Sequence, residues 1–322
     1  MNALLENTAQ ADPAAAARAA GTLEELLAGL DAAPEEILRL VPGRRAVFAG
    51  HWLGRAVVFH LALAPEEVAG FRARHDEQTR VHGYMGDGPF RVPEPIRLIA
   101  GDRVAVTQAI SGTPLLDALW QADKPDRPAL QASGAGWLAA HAAPTLEDRP
   151  VNRGPWRKWA VAGQARQTHD RLKGIEARVL QKMHALSRRL RPVTTWRSAL
   201  GHGDFHPNNL IRDADGVTWG IDLGASNRAP IYRDIARFLV HAARRGMLPS
   251  GQRRFGVDAG GLADFARAFA LTEEELTGDL PFFLCHELLV RVEHPDMPGP
   301  RIRHTVDLSE AMFEDLRDLL RD

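Results

Sequence analysis

Two neighbouring stretches of the sequence concentrate side chains that can bind a metal ion or move a proton. Residues 198–211 read SALGHGDFHPNNLI, with two His, one Asp and two Asn in one predicted loop. Residues 217–224 read VTWGIDLG, a strand-like run that ends on the carboxylate of Asp222 and two further residues. Carboxylate and amide oxygens are hard ligands that suit Mg²⁺, and phosphate oxygens commonly complete its coordination shell. The two stretches together predict a magnesium-phosphate site.

Three oxygen-bearing side chains are the candidates for this site. Asp204 and Asn209 are too far apart in sequence to be neighbours on one strand, but a loop that contains Pro207 can turn both toward one point. Asp222 ends the following strand, so its carboxylate can arrive from another side. We therefore expect Asp204, Asn209 and Asp222 to meet around a divalent cation and the phosphates that it carries.

The spacing of apolar residues predicts the elements that position these side chains. Residues 1–40 have helical spacing and predict an N-terminal helical extension. Residues 41–111 contain four strand-like runs (44–50, 55–63, 93–100 and 103–110) and a helix at 65–84, which predicts a small antiparallel sheet with one helix. Residues 112–322 are mainly helical in spacing, including one long segment at 156–190, and contain the two stretches described above. These three ranges are the predicted domains.

Composition limits the class of protein and its partners. The chain has 322 residues, 45% of them hydrophobic and 25% charged, with a net charge of −1. This length favours two domains, and the balanced charge does not favour binding of a nucleic acid polymer or a membrane surface. A single cysteine and the lack of a signal-like or spanning segment predict a cytoplasmic protein. We expect a monomer or a homodimer.

The order of the motifs resembles the aminoglycoside phosphotransferase and choline kinase family, within the protein-kinase-like group. The family's catalytic loop reads His-Gly-Asp, four residues and Asn, which matches His202-Gly203-Asp204 and Asn209. Its second metal motif matches Ile221-Asp222, and a third segment matches residues 232–237. The resemblance covers roughly residues 40–300 and depends on three motifs in a fixed order. It implies an α+β, protein-kinase-like fold with two lobes.

The resemblance also implies an activity and a role for each matching residue. The activity is transfer of the γ-phosphate of ATP, with Mg²⁺, to a hydroxyl of a small molecule. Asp204 would orient and deprotonate the hydroxyl, and Asn209 and Asp222 would hold Mg²⁺. His202 would be a scaffold residue and Asp234 would hold the catalytic loop. The hinge that contacts the adenine would be Gln108, Ala109 and Ile110.

One position departs from the family pattern. The family has a phosphate-binding lysine on the third strand, paired with a helix glutamate, whereas the sequence has His60 there and no lysine before Lys124. Glu77 is the predicted helix glutamate that would pair with the third-strand residue. Two explanations stay open: His60 acts as a weaker, protonated phosphate contact, or the protein is a pseudokinase that binds nucleotide with little transfer.

The sequence leaves the substrate and a second chemistry open. The substrate is expected beside Asp204, under residues 156–159 and the helices near 282–293. Aromatic and acidic residues there favour a cationic alcohol such as an aminoglycoside or choline, while a sugar, a homoserine-like amino acid or a thiosugar stays open. As an alternative chemistry, His202, Asp204 and His206 could ligate a transition metal in a hydrolase.

Overall fold

A computed structural model of the protein describes residues 12–224 and 227–321. The chain forms two compact units. The first contains the described residues up to Thr113 and the segment from Ile211; the second contains Pro114–Leu210 and the described residues from Asn227 onward. The predicted bounds of 1–40, 41–111 and 112–322 stay a prediction, and residues 1–11 of the predicted extension lie outside the described residues. The segment that carries Asp222 belongs to the first unit.

The elements alternate between mainly β and mainly α stretches of the chain. The first stretch contains α1 (Pro13–Leu27), β1 (Ala32–Val41), β2 (Arg45–Trp52), β3 (Arg55–Ala62), α2 (Pro65–Met85), β4 (Phe90–Arg91), β5 (Pro95–Ile99), β6 (Val104–Gln108) and β7 (Thr113–Pro114). The middle contains α3 (Leu115–Gln121), α4 (Arg127–Ala142), β8 (Glu147–Pro150), α5 (Gly154–Ala165), α6 (Asp170–Arg189), β9 (Thr195–Gly201), β10 (Leu210–Arg212) and β11 (Thr218–Gly220). The last stretch contains β12 (Asn227–Pro230), α7 (Ile231–Ala243), β13 (Arg253–Arg254), β14 (Val257–Asp258), α8 (Ala259–Phe269), α9 (Leu280–Val290) and α10 (Gly299–Leu319).

The first unit is built on a five-stranded sheet in the order β1-β2-β3-β6-β5. Its strands alternate buried positions with period two, so each face collects a different set of side chains. One face, which includes Phe48 and Phe59, packs against Leu23 of α1. The other face, which includes Ala62 and Ala105, packs against α2. The predicted hairpins 44–63 and 93–110 are confirmed.

The predicted helical extension is wrong for residues 32–40, which belong to β1. The helical pattern ends with α1, and Gly29 has a positive φ of 79° that turns the chain. Residues 32–41 then pair antiparallel with β2, from Ala32 opposite Trp52 to Val41 opposite Arg45. Pairing with an existing strand outweighs the helical preference of alanine and glutamate here, because sheet contacts decide the conformation of a short segment.

The second unit is mainly helical, with a small antiparallel sheet in the order β12-β9-β8. The segment 156–190, predicted as one helical run, forms the two helices α5 and α6. α5 lies very close to α9 at Gly163. A Cβ added at this glycine would lie 2.2 Å from the carbonyl oxygen of Leu289. Only glycine allows this approach. Within the described residues, no helix combines the length and apolar character that crossing a membrane requires.

Candidate active site

The loop after β9 is tied to the first turn of α7. The backbone N–H of His202 donates to Oδ2 of Asp234 at 2.8 Å. A Cβ added at Gly201 would lie 2.8 Å from the same oxygen, so the loop passes this carboxylate where a larger residue would not fit. Gly203 has a φ of 89°, a conformation that glycine adopts without strain. The backbone of His202 and the carboxylate of Asp234 are therefore in direct contact.

His202 lies in the core below the loop. Its side chain is buried, and its ring centroid lies 5.8 Å from Trp137 and 5.7 Å from Phe205. These edge-on contacts with aromatic rings fix the ring as part of the packed interior. The scaffold role that the resemblance implies for His202 stays a prediction.

Asp204 and Asn209 are adjacent in the structure. The Asn209 amide nitrogen donates to the backbone carbonyl oxygen of Asp204 at 2.9 Å, which leaves the amide oxygen as the atom that a cation would bind. Asn209 is buried, whereas the Asp204 side chain is 49% exposed. The loop therefore fixes the amide and presents the carboxylate.

Positive charge surrounds the Asp204 carboxylate. Nη2 of Arg237 lies 2.9 Å and Nη2 of Arg291 lies 3.3 Å from Oδ1, and Nε2 of His206 lies 3.5 Å from Oδ2. Burial alone would raise the pKa of Asp204. The hydrogen bond with His206 and the charges of the arginines outweigh burial and hold this pKa well below its usual range. Asp204 is therefore ionised across the physiological pH range.

The two arginines also share a second carboxylate. Nη1 of Arg237 and Nε of Arg291 both lie 3.1 Å from Oε1 of Glu287, a buried side chain of α9. The sequence analysis missed both arginines. Arg237 follows Asp234 by one helical turn, so its spacing on α7 was a usable signal. Arg291 offers no local signal, because its approach to Asp204 depends on how α9 packs.

His60 lies on the sheet face that α2 covers, with two arginines nearby. In the strand register His60 is opposite Val47 and Ala105, and Arg45 is opposite Ala62, so Arg45 and His60 point to the same face. Burial lowers the pKa of His60, as do the charges of Arg74 of α2 and Arg45. Positive charge on this face is thus carried by arginines.

The charge of Asp222 acts on both His60 and Arg74. Its negative charge opposes the fall in the His60 pKa and in the Arg74 pKa. Asp222 is exposed and has a φ of 56°, a left-handed conformation that is uncommon for a residue other than glycine. Such a strained backbone frequently marks a functional residue.

The glutamates of α2 have different partners. Glu67 forms ion pairs with Arg44 and, at 3.7 Å, with Arg45. Glu77, the predicted partner of the third-strand residue, accepts from Nη2 of Arg80 at 2.7 Å and from its Nε at 2.8 Å. A pairing of Glu77 with His60 stays a prediction.

The predicted hinge 108–110 follows directly from β6. The backbone N–H of Gln108 donates to the carbonyl oxygen of Glu94 at 2.9 Å, and that of Ala109 donates to Ala56 at 3.2 Å. These two N–H groups are therefore used within the unit. Among the described residues, the backbone N–H of Ile110 donates no such bond.

Aromatic side chains of α5 and α9 form a wall in the second unit. The ring of Trp156 lies 4.9 Å from His286, 5.0 Å from Phe283 and 5.2 Å from Trp159. Trp159 is an exposed tryptophan. We call Trp156, Trp159, Phe283 and His286 the aromatic wall.

The candidate metal ligands differ in the cations that they prefer. Asn209 and Asp222 offer an amide oxygen and a carboxylate, which are ligands of hard cations. Within residues 12–224 and 227–321, no three His, Cys, Asp or Glu side chains are grouped so that they could hold a metal ion. The alternative set of His202, Asp204 and His206 is therefore not formed, because the His202 ring lies in the core.

The first unit is a five-stranded sheet with a helix on each face, and the second unit is mainly helical. These two units define a protein-kinase-like fold of the α+β class. A profile described as the Phosphotransferase enzyme family matches residues 45–271. The chain belongs to this family. The resemblance identified from the three motifs is confirmed.

Solved structures agree on the fold. Aminoglycoside phosphotransferase APH(4)-Ia has a TM-score of 0.52 and 16% identity, over 93% of this chain and 97% of that chain. Spectinomycin phosphotransferase APH(9)-Ia, solved with ADP and spectinomycin, has a TM-score of 0.51 and 12% identity, over 93% and 98%. A macrolide 2'-phosphotransferase from Brachybacterium faecium has a TM-score of 0.52 and 19% identity, over 83% of this chain and 88% of that chain. No curated protein sequence matches the chain.

Proposed function

We propose that this protein is an ATP-dependent phosphotransferase that moves the γ-phosphate to a hydroxyl group of a small molecule. The observation that carries this proposal is the loop around Asp204. The loop presents a half-exposed, ionised carboxylate, and it is fixed by the contact of His202 with Asp234 and by the bond from Asn209. A rigid carboxylate beside an exposed surface is what positioning of a hydroxyl nucleophile requires.

Asp204 acts mainly by orientation in this proposal. Its low pKa makes it a weak base, and transfer of a phosphoryl group through a loose transition state demands little deprotonation before attack. The carboxylate accepts a hydrogen bond from the substrate hydroxyl and aligns its oxygen with the γ-phosphorus. The proton then passes to Asp204 or to solvent as the new bond forms.

Asn209 and Asp222 are the proposed residues for Mg²⁺. Their amide and carboxylate oxygens match the ligand preference of this cation. When bound, Mg²⁺ neutralises charge on the phosphates of the nucleotide. Gln108, Ala109 and Ile110 are the proposed contact for the adenine, with Ile110 as the donor.

Arg45 and Arg74 are the proposed phosphate contacts in place of the absent lysine. Both are arginines on the His60 side of the sheet, and guanidinium groups bind phosphate through several donors and stay protonated. The missing lysine therefore does not leave this face without positive charge. This favours an active enzyme over the pseudokinase alternative.

Release of ADP in the presence of Mg-ATP and a panel of hydroxylated metabolites tests the proposal. We expect at least one metabolite to stimulate ADP release by the wild type, and Asp204→Asn to lower that stimulated rate by at least about 100-fold, as for a lost transition-state contact. Circular dichroism of the variant checks its fold. Binding of Mg-ATP without stimulated turnover would instead support the pseudokinase.

A further inference from the structure

We propose that the acceptor is an alcohol that carries a carboxylate, which Arg291 and Arg233 bind beside the aromatic wall. This inference rests on the proposed phosphotransferase function and names its substrate class. It is carried by the charges around Asp204 and by a buried histidine whose ring nitrogens have no hydrogen-bond partner among the described residues.

The acidic residues that a cationic substrate would need are already neutralised. Glu287 is buried and lies between Arg237 and Arg291. Glu293 is also buried, and its Oε1 lies 3.0 Å from Nε of Arg301 and 3.6 Å from Nε of Arg244. A cation that approached these carboxylates would displace an arginine and leave it unpaired in the interior, at a cost that a new ion pair does not recover. The expectation of a cationic alcohol is therefore not favoured.

The exposed charge beside Asp204 is positive. Arg291 has a 41% exposed side chain. A guanidinium group has five N–H donors, and the ion pairs of Arg291 with Asp204 and Glu287 use its Nη2 and Nε. Arg233 donates from Nη2 to the carbonyl oxygen of Gly203, within the catalytic loop. Both arginines can therefore donate further hydrogen bonds to an anionic substrate close to the position of its hydroxyl.

His286 supplies the second, independent observation. It is 5% exposed, and both its ring nitrogens are buried without a hydrogen-bond partner among the described residues. Burial, followed by the charges of Arg233 and Arg291, lowers the pKa of His286 to about 3, so the ring is neutral and has one donor and one acceptor. A buried polar group without a partner costs free energy. A ligand carboxylate bound beside this ring would accept the N–H of His286 and remove the cost of the unpaired donor.

The aromatic wall suits the carbon skeleton of such a substrate. The indole of Trp159 is 52% exposed, and Trp156 joins it to His286. Aromatic faces bind apolar carbon while their edges tolerate polar groups. A carboxylate fits better than a dianionic phosphate, because the acceptor must approach the negatively charged γ-phosphate. The site thus combines a carboxylate contact, an apolar surface and Asp204.

The proposed step is a balanced phosphoryl transfer. The hydroxyl oxygen of the carboxylated alcohol forms a bond to the γ-phosphorus of ATP. The bond from the γ-phosphorus to the β,γ-bridging oxygen breaks, and ADP leaves with that oxygen. The hydroxyl proton passes to Asp204 or to solvent, and the products are ADP and a phosphorylated hydroxy acid.

Two matched series of alcohols that differ in charge test the inference. The first is glycerate, glycerol, serinol and glycerol phosphate; the second is mandelate, mandelamide and phenylethanolamine. We expect the carboxylates to give kcat/KM values at least about tenfold above the neutral and cationic members, the gain typical of charge-assisted hydrogen bonds. Quenching of tryptophan fluorescence by mandelate in the presence of Mg-ADP provides a readout of binding that does not require turnover.

Variants of Arg291 separate recognition of charge from a general loss of activity. We define the preference as kcat/KM for the carboxylate divided by kcat/KM for the neutral alcohol. Arg291→Gln should lower this ratio toward one, mainly by raising the KM for the carboxylate. Arg291→Lys should retain part of the preference. Arg267→Gln, which removes an exposed arginine paired with Asp264 on α8, should leave the ratio unchanged.

The outcomes distinguish this inference from the proposed function. Turnover of cationic or neutral alcohols that equals or exceeds turnover of the carboxylates would overturn the inference and leave the phosphotransferase intact. Binding of mandelate without ADP release from any alcohol would support the carboxylate site and contradict the proposed function. A lack of both binding and turnover with the carboxylates would overturn the inference.

Discussion

At the scale of single residues, the setting of Asp204 decides how the proposed chemistry is carried out. The arginines hold its carboxylate in place and lower its affinity for a proton. A group in this state orients a hydroxyl well and removes a proton poorly. In the proposed reaction the rate therefore depends on alignment of the hydroxyl and on neutralisation of the phosphate charge, which agrees with the small demand of phosphoryl transfer for a base.

The pH dependence of turnover tests this setting. Because the pKa of Asp204 is held well below its usual value near ~4, the wild type should show no loss of kcat/KM from this group as the pH falls toward that value. Arg237→Gln removes one of the neighbouring charges, so the pKa of Asp204 should rise and activity should be lost at a higher pH than in the wild type. The dependence of kcat/KM on pH, measured for both proteins, tests this prediction. If activity falls at the same low pH in both, the arginines do not lower the pKa of Asp204.

Binding of Mg-ATP tests the arginines near His60. We expect Arg74→Gln to weaken binding by about tenfold, the value of one charge-assisted contact with phosphate. His60→Gln should have a smaller effect, because His60 carries little positive charge in this setting. Isothermal titration gives both constants. Arg72→Gln is the matched control, since Arg72 lies on the same helix and pairs with Asp102; an equal effect of all three variants would refute the assignment.

At the scale of elements, the contact of β9 and the residue after it with α7 fixes the loop that carries Asp204. Gly201→Ala would place a methyl group 2.8 Å from the Asp234 oxygen that accepts from His202. We expect a loss of about 1–3 kcal/mol in the free energy of unfolding, as for other overpacked sites, and a fall in kcat larger than the change in KM. Denaturant unfolding and steady-state kinetics measure the two effects.

Gly174→Ala is the control for this prediction. Gly174 lies in α6, and a Cβ added there meets nothing within 4 Å. Alanine is a better helix former than glycine, so this variant should be stabilised by up to about 1 kcal/mol. A Gly201→Ala protein with wild-type stability and kcat would show that the close approach of β9 to Asp234 is not required.

A buried carboxylate in α6 predicts a pH-dependent stability. Glu176 is buried beside the Gln167 amide, and burial raises its pKa from 4.5 to about 7. Ionisation therefore costs more in the folded state, so the free energy of unfolding should fall as pH rises from about 4.5 to 7. Glu176→Gln should exceed the wild type by up to about 3 kcal/mol at pH 8, and this advantage should vanish near pH 4.

Unfolding in denaturant at several pH values gives this difference. Glu310→Gln, at an exposed position of α10, controls for the loss of a surface charge. An advantage of Glu176→Gln that is independent of pH would contradict the raised pKa.

The sequence predicted regular elements well where local pattern determines them. The hairpins around β2, β3, β5 and β6 followed from alternation and turn residues. Residues 32–40 were predicted wrongly, because their conformation depends on pairing with β2 rather than on their own helical spacing. The order of the motifs made Asp204, Asn209 and Asp222 the candidate site residues, and their roles stay a prediction. Arg291 reaches Asp204 only through the packing of α9, which no local pattern encodes.

At the scale of the whole molecule, each unit carries one part of the proposed chemistry. The first unit contains the sheet with His60, Arg45 and Asp222, and the second contains the loop with Asp204 and Asn209. A segment from the middle of the chain supplies Asp222 to the first unit, so the order of residues along the sequence does not follow the division into units. The net charge of −1 leaves recognition of nucleotide and acceptor to these local clusters.

The central claim is transfer of a phosphoryl group to a small alcohol with the help of Asp204. Mass spectrometry of the acceptor after incubation with Mg-ATP tests it most directly. We predict that the wild type produces an acceptor that has gained one phosphoryl group, and that Asp204→Asn, although folded and able to bind Mg-ATP, produces almost none. Consumption of ATP without a phosphorylated acceptor, or equal product from Asp204→Asn, would contradict the account.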